Sequence, residues 1–337
     1  HSPCADKFRV ERSLTAIHYD ARVVDDVRRA QIYAGDIHVI SPRPAMQALT
    51  EWARELLVRG FGDDDLEMLQ HRVPVERFVE LFAPIKPRFI HHPQTWELIC
   101  AVVEDMGLDP RATYLDVPRL RGVTSHGYLS SGVGYAFPMH RDTWWAAPMQ
   151  QVNWWLPIFP IESGNTMAFH PAWWDRPVEN SSGEFDYYEY NRTARGAAAK
   201  QVKRDTRPQP RITQDPPPLD TPSVRLVAPV GGAILFSGQQ LHSTVPNETG
   251  RTRFSIDFRT IDIGDVKSGR GAPNMDSAPA GTSLRDFRRV SDRARMPEKL
   301  ALAVDPRRIA FRKAVFQPPA SLLAELAAET AARTVAA

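Results

Sequence analysis

Between residues 113 and 260 the chain is a succession of short β-prone runs separated by turn residues, with no amphipathic helix between any two of them. The runs are 113–117, 133–139, 151–159, 166–169, 224–227, 233–236, 241–245 and 253–260. A doubly wound parallel sheet needs a helix at each crossover, so this pattern excludes one and leaves antiparallel sheets stacked face to face. Eight or so short strands suit a double-sheet jelly roll.

The first third reads as helical. Pro44 opens a run to Arg59 whose Met46, Leu49, Ala53, Leu56 and Leu57 share one face, with Gly60 as the stop. Pro74 opens a short helix with Phe78, Leu81 and Phe82. Pro93 opens another, with Trp96, Ile99, Cys100, Val103 and Met106, closed by Gly107. Each stripe is apolar on one side only, so these helices are expected to cover one face of a sheet. Residues 176–222 break the strand pattern with Tyr187, Tyr188, Tyr190, an alanine run at 197–199 and prolines at 208, 210 and 216–218. Such an insert is either a solvated loop or a lid. Between 191 and 220 lie seven Arg or Lys and three Asp, an excess of 7 − 3 = +4 that a flap meeting an anionic substrate would carry. Residues 261–318 are mixed, and 320–337 reads as a terminal helix.

The formal net charge of +2 is too small for a nucleic-acid binder, and no 18-residue apolar run exists to span a membrane. Two cysteines, Cys4 and Cys100, make neither a disulfide framework nor a Cys-type zinc site, so a reducing cytoplasm is the expected compartment.

Chemistry enters through His-x-Asp. Ten histidines among 40 acidic residues in 337 give about one His-x-Asp/Glu by chance; two occur, His18-Tyr19-Asp20 and His140-Arg141-Asp142. The first lies in a charged segment without a strand pattern. The second ends the β-prone run 134–139, and alternation along a strand turns residues 140 and 142 to one side. A Gly turn at 231–232, an apolar strand and a second turn lead to His242. Two histidines and a carboxylate on one face of a metal leave positions open for a bidentate co-substrate and oxygen. Eleven residues past His242 is Arg253, with Ser255 and Asp257 on its strand face and Phe254, Ile256 and Phe258 on the other. A guanidinium and a hydroxyl side by side can grip a carboxylate. His170, His126, His91 and His92 are read as satisfied core or surface residues.

As a set, His140-x-Asp142, His242 and Arg253-x-Ser255 resemble the iron(II)/2-oxoglutarate-dependent dioxygenases, closest to their phytanoyl-CoA dioxygenase-like branch, over about residues 113–260. The resemblance implies a β-rich α+β fold: a double-stranded β-helix (jelly roll, cupin-like) with helices on the larger sheet. It implies iron(II) on His140, Asp142 and His242, with no catalytic residue beyond these ligands. It further implies 2-oxoglutarate on Arg253 and Ser255, O2 as oxidant, and a small-molecule substrate. Asn153 is expected to add a hydrogen bond to the co-substrate, and Trp145 and Tyr135 to line the substrate pocket. Halogenating members have Ala or Gly where this chain has Asp142, so hydroxylation, desaturation, epimerisation or cyclisation is expected. The chain departs from the family with Gly231-Gly232, where Gly-Asp is frequent, and with 168–171, where a Pro-Gly-Ser-His turn is frequent. The expected organisation is one catalytic domain over 1–337: a mainly helical N-terminal segment over 1–111, a jelly-roll core over 112–260 with its insert at 176–222, and an extension over 261–337. The competing reading keeps the jelly roll as a cupin-like metal-dependent isomerase or a non-catalytic binding module, neither of which needs Arg253.

Overall fold

The computed structural model describes residues 14–193, 201–215, 222–307 and 320–336. The alanine run at 197–199 and the prolines at 216–218 lie outside them. In chain order the elements begin β1 (Ile17–Tyr19), α1 (Asp25–Tyr33), β2 (Ile37–Ile40), α2 (Pro44–Phe61), α3 (Val75–His91), α4 (Pro93–Asp105), β3 (Thr113–Leu115), β4 (Arg119–Val123), β5 (Val152–Pro157) and β6 (Met167–Phe169). They continue with α5 (Tyr187–Thr193), β7 (Val224–Leu226), β8 (Ala233–Ser237), β9 (His242–Thr244), β10 (Arg253–Asp262), α6 (Ile263–Ser268), β11 (Arg288–Arg289), α7 (Glu298–Val304) and α8 (Ala320–Ala336).

The result is a mixed sheet with helices, an α+β arrangement. The larger sheet runs β1-β2-β8-β5-β10-β3-β11, and β4 also pairs with β10. Only β1 and β2 are parallel neighbours among the described strands. A smaller antiparallel sheet, β7-β6-β9, carries Phe169 opposite His242.

Strand β10 explains the layering. Phe254, Ile256 and Phe258 point to one face with Trp154 and Leu156 of β5, Leu120 of β4 and Leu235 of β8. There they meet Leu49, Trp52 and Leu56 of α2, Phe78, Phe82 and Phe89 of α3 and Val103 of α4. Burying each aromatic contributes about 2–3 kcal/mol, so this helical cover fixes which way β10 faces. Its other side, with Arg253, Ser255, Asp257 and Arg259, is turned to the interior between the sheets. There Trp155, Ile234 and Phe236 pack on Met167 and Phe169. A one-residue slip would put four polar side chains into the helical core, so the register is strongly specified.

Several sequence expectations need correction. The run 133–139 is not a strand: Gly132 adopts φ +73°, Pro138 has no N–H to donate, and pairing is confined to a single bridge from His140 to His242. The strand β4 escapes a sequence reading because Gly122 takes its second core-facing position, against Phe82 and Phe254, and leaves Leu120 as the one apolar residue on that face. The first third is not only helical, since Ile37, His38, Val39 and Ile40 form a buried strand. Helix α2 passes through Gly60 and ends at Phe61, capped by Gly62 at φ +69°. Helix α3 is long rather than short, running through Pro84 and Pro87. Pro84 is exposed, and the buried stripe Phe78, Phe82, Ile85 and Phe89 offsets the missing hydrogen bonds.

Close packing also explains Gly231-Gly232. Gly231 sits at φ +76°, and a Cβ on Gly232 would lie 2.4 Å from the Ile40 carbonyl oxygen and 3.1 Å from that of Pro229. Gly232→Ala is therefore expected to cost about 2–4 kcal/mol, read as a lower urea midpoint. An unchanged midpoint would mean that the β2–β8 edge moves aside freely.

Candidate metal centre

His140 is held by its reciprocal backbone bonds with His242, N to O at 2.9 and 3.0 Å. Extended backbone at Arg141 then turns residues 140 and 142 to the same side. The alternation argument thus holds for one step, although Asp142 itself begins a 3-10 turn, Asp142–Trp145, instead of continuing a strand. Arg141 points the opposite way and is fully buried, binding Asp276 and the carbonyls of Gln239, Trp173 and Arg176. It anchors the turn on which Asp142 sits.

The two imidazoles lie with ring centroids 4.4 Å apart. His140 Nδ1 contacts the Pro138 carbonyl at 2.7 Å and His242 Nδ1 the Gln240 carbonyl at 2.8 Å. A carbonyl only accepts, so each Nδ1 carries the proton and each Nε2 lone pair is left for a metal. Both Nε2 atoms face Asp142 Oδ1, at 3.4 Å from His140 and 3.9 Å from His242. The three donor atoms all fall within 4.8 Å of one another, and two neutral imidazoles with one carboxylate fit iron(II).

The triad fits the iron(II)/2-oxoglutarate-dependent dioxygenase superfamily.

Electrostatics agree with this donor set. Burial drives the His242 imidazolium down to about 4, so the ring is a neutral ligand. Burial acts to raise Asp142, but its contacts with His140 and His242 and the hydrogen bond from the Asn153 amide outweigh it and hold the carboxyl well below the usual range. The other His-x-Asp behaves differently. His18 contacts Asp36 at 2.8 Å and stacks on His38 at 4.6 Å. His170 contacts Ser243 and is not one of the three converging residues.

Asn153 does point into the site, as its strand phase requires, but its amide is engaged by the ligand carboxylate. It donates to Asp142 Oδ2 at 2.9 Å and accepts from Gln151. Gln151 also donates to Asp142 Oδ2, at 3.0 Å, and Arg259 lies 3.6 Å from the same oxygen. Sequence reasoning missed Gln151 and Arg259, yet alternation back from Asn153 and onward from Arg253, Ser255 and Asp257 identifies them. Together they fix Oδ2 and leave Oδ1 for the metal. Asn153→Ala is expected to weaken metal binding about 10- to 100-fold, measured by titrating the apoprotein with Co(II). Wild-type affinity would show that Gln151 and Arg259 suffice.

Arg253 and Ser255 supply the test for a co-substrate. Arg253 is 4% exposed, and its guanidinium carbon stacks 5.1 Å from the Trp155 ring centre. Among the described residues its contact within hydrogen-bond range is one long bond to the Asn165 carbonyl at 3.4 Å, and Nε has no partner. Ser255 Oγ is buried with no partner either. Burial pushes the guanidinium down to about 9. Buried donors without acceptors are costly, and a carboxylate is the group that would satisfy both.

Of the expected pocket residues, Tyr135 is linked to His140 through Phe137, and Trp145 packs on the insert. Tyr135 stacks on Phe137 at 4.7 Å, and Phe137 lies 5.9 Å from the His140 ring. Trp145 packs against Phe185 and Tyr190, whereas Trp144 turns away and donates to Asp276. In the next pair Trp155 faces the interior, and Trp154 stacks on Phe258 under the helices.

No known family matches the sequence, and no curated protein matches it. Among solved structures, similarity is found to the epimerase SnoN in complex with Fe3+, alpha ketoglutarate and nogalamycin RO (15% identity, 78% of this chain and 98% of that one, TM-score 0.39). AviO1 from Streptomyces viridochromogenes Tue57 gives 15% identity, 76% and 100% coverage and a TM-score of 0.36. The non-heme monooxygenase ThoJ, as its Ni complex, gives 13%, 87% and 91%, and 0.35. No helix among the described residues is long and apolar enough to cross a membrane.

Proposed function

We propose that this protein is a non-haem iron(II) oxygenase that uses 2-oxoglutarate and O2 to hydroxylate or otherwise oxidise a small molecule of secondary metabolism, releasing succinate and carbon dioxide. The reading is carried by the convergence of His140, Asp142 and His242 on the interior sheet face that also holds Arg253 and Ser255, whose Nε and Oγ have no hydrogen-bond partner among the described residues. A cupin-like isomerase or binding module would use the metal ligands but would leave the buried guanidinium without a purpose. On this reading the two sheets are the halves of a double-stranded β-helix, and the chain is one catalytic domain. The spacing of 253 − 242 = 11 residues from the last histidine to the arginine supports the phytanoyl-CoA dioxygenase-like branch.

Iron(II) with its co-substrate supplies the oxidising chemistry when bound. The chain's own role is to bind and orient. His140 and His242 present Nε2 because backbone carbonyls hold their Nδ1 protons. Asp142 presents Oδ1 because Gln151, Asn153 and Arg259 hold Oδ2. Three protein ligands leave the remaining positions open. Arg253 and Ser255 donate to the far carboxylate of 2-oxoglutarate, with Trp155 as the guanidinium's platform. Tyr135, Phe137 and Trp145 wall the flank and exclude water. The test is succinate formation from 2-oxoglutarate with added iron(II) and ascorbate, which proceeds uncoupled and needs no knowledge of the substrate. A protein with bound iron confirmed and no turnover under any condition would sink the proposal.

A further inference from the structure

Beyond the residues assigned to iron and co-substrate, the interior face of the larger sheet holds more cations than it balances. Arg119 and Arg121 of β4 and Arg259 of β10 share two carboxylates, Asp116 and Asp257. Arg119 Nη1 lies 2.9 Å from Asp116 and 4.0 Å from Asp257. Arg121 Nε donates to Asp257 at 2.6 Å, and Arg259 Nη1 lies 2.9 Å from Asp257 and 3.6 Å from Asp116. Lys86 of α3 reaches the same region. Its ammonium donates to the Val133 carbonyl at 2.8 Å and has no carboxylate within 4.0 Å among the described residues. Burial, then the neighbouring Arg121, pulls that ammonium down to about 7. Arg207 comes from the insert with its own counter-ion, Asp205, and donates to the Tyr135 hydroxyl at 2.7 Å.

The charge balance follows from the functional reading above, on which this inference rests. Iron(II) and Arg253 are offset by Asp142 and the two carboxylates of 2-oxoglutarate. What remains is three guanidiniums against Asp116 and Asp257, a surplus of 3 − 2 = +1, with the Lys86 amine beside them as a further donor. The surplus lies beside the metal ligands: the Arg121 guanidinium carbon is 4.9 Å from the centre of the Phe137 ring, whose other neighbours are His140 and Tyr135. Half-buried charge without a counter-ion is unfavourable, and an entering anion both removes it and accepts charge-assisted hydrogen bonds. We propose that the substrate is a monoanionic organic acid whose carboxylate is received by Arg121 and Lys86 beside Phe137 and Tyr135. Recognition of the acid by these two residues then sets which C–H group faces the metal.

The experiment uses the full chain loaded with Ni(II) and 2-oxoglutarate, which does not turn over. It is equilibrated with three matched pairs: phenylacetate and phenylacetamide, 4-hydroxybenzoate and its amide, hexanoate and hexanamide. Retained compounds are quantified by mass spectrometry. At least one acid is expected to be retained about tenfold over its amide, and Arg121→Gln to remove that preference while 2-oxoglutarate stays bound. Lys86→Met, on a different element, is expected to do the same and serves if Arg121→Gln fails to give a wild-type circular dichroism spectrum. No preference for any acid in the wild type, whether both members of each pair bind or neither does, overturns the inference, as does a preference that survives both substitutions. Failure of the wild type to retain 2-oxoglutarate with the metal, scored before any acid is added, overturns the functional reading and this inference together.

Discussion

Asp142→Ala is expected to lower succinate formation by at least about a hundredfold and to strip the protein of most of its iron. The carboxylate is the sole anionic donor of the three converging residues, and two neutral imidazoles alone hold iron(II) weakly. The change also leaves Gln151, Asn153 and Arg259 facing an empty acceptor site, since all three are aimed at Asp142 Oδ2. Stranded buried donors cost about 1–3 kcal/mol, so the variant should also unfold at a lower temperature. Asp142→Asn is the control that separates the two effects. It keeps an oxygen for the amide donors and the shape of the side chain but removes the charge, so turnover should fall while most of the stability returns. Metal content by mass spectrometry and succinate by chromatography decide it. Turnover by Asp142→Ala at the wild-type rate would remove Asp142 from the ligand set.

Arg253→Met should separate stability from function in the opposite sense. Losing a bidentate charge-assisted grip costs about 2–4 kcal/mol of binding, so the 2-oxoglutarate KM should rise about 30- to 1000-fold, with metal affinity unchanged. The apoprotein should become more stable, because a buried guanidinium whose Nε has no partner is replaced by an apolar chain of similar reach that can pack on Trp155. The sign follows from the pKa. The folded-state value, about 9, lies below that of the free guanidinium. The penalty is therefore full at neutral pH and is relieved only as pH rises beyond about 9. Thermal unfolding of both proteins at pH 7 without metal or co-substrate tests this, and a less stable variant would show that Arg253 serves the fold instead of a ligand.

The opposed effects expected at these two positions have one physical origin. Asp142 is surrounded by donors that satisfy it before any metal arrives, so the fold depends on it. Arg253 Nε and Ser255 Oγ are left without partners among the described residues, and on the proposed reading 2-oxoglutarate completes them. Arg253 Nε and Ser255 Oγ stand out from the other buried polar atoms without partners among the described residues because they occupy adjacent same-face positions of β10, where one carboxylate could meet both.

Much of the centre was legible from residue order. Period-two alternation placed Arg253 and Ser255 opposite Phe254 and Ile256, because a strand with one face against helices cannot slip. The same rule separated Trp154 from Trp155. One step of extended backbone was enough to align His140 with Asp142. What failed were inferences that needed a partner strand. The run 133–139 has the apolar content of a strand but forms no bridge, its Phe137 carbonyl accepting one bond from Thr244, and β4 has one core-facing apolar side chain besides Gly122 yet pairs along its whole length with β10.

The order of residues alone therefore pointed to His140, Asp142 and His242 and set the phase of β10 and the apolar stripes of the helices, since these rest on residue type and on periodicity along the chain. Only the tertiary structure decided that Asn153 supports Asp142, that Gln151 and Arg259 join it, and that Arg119, Arg121, Arg259 and Lys86 meet around two carboxylates. Hydrogen bonds and charge balance between segments far apart in the chain depend on distance in space, which local patterns do not encode.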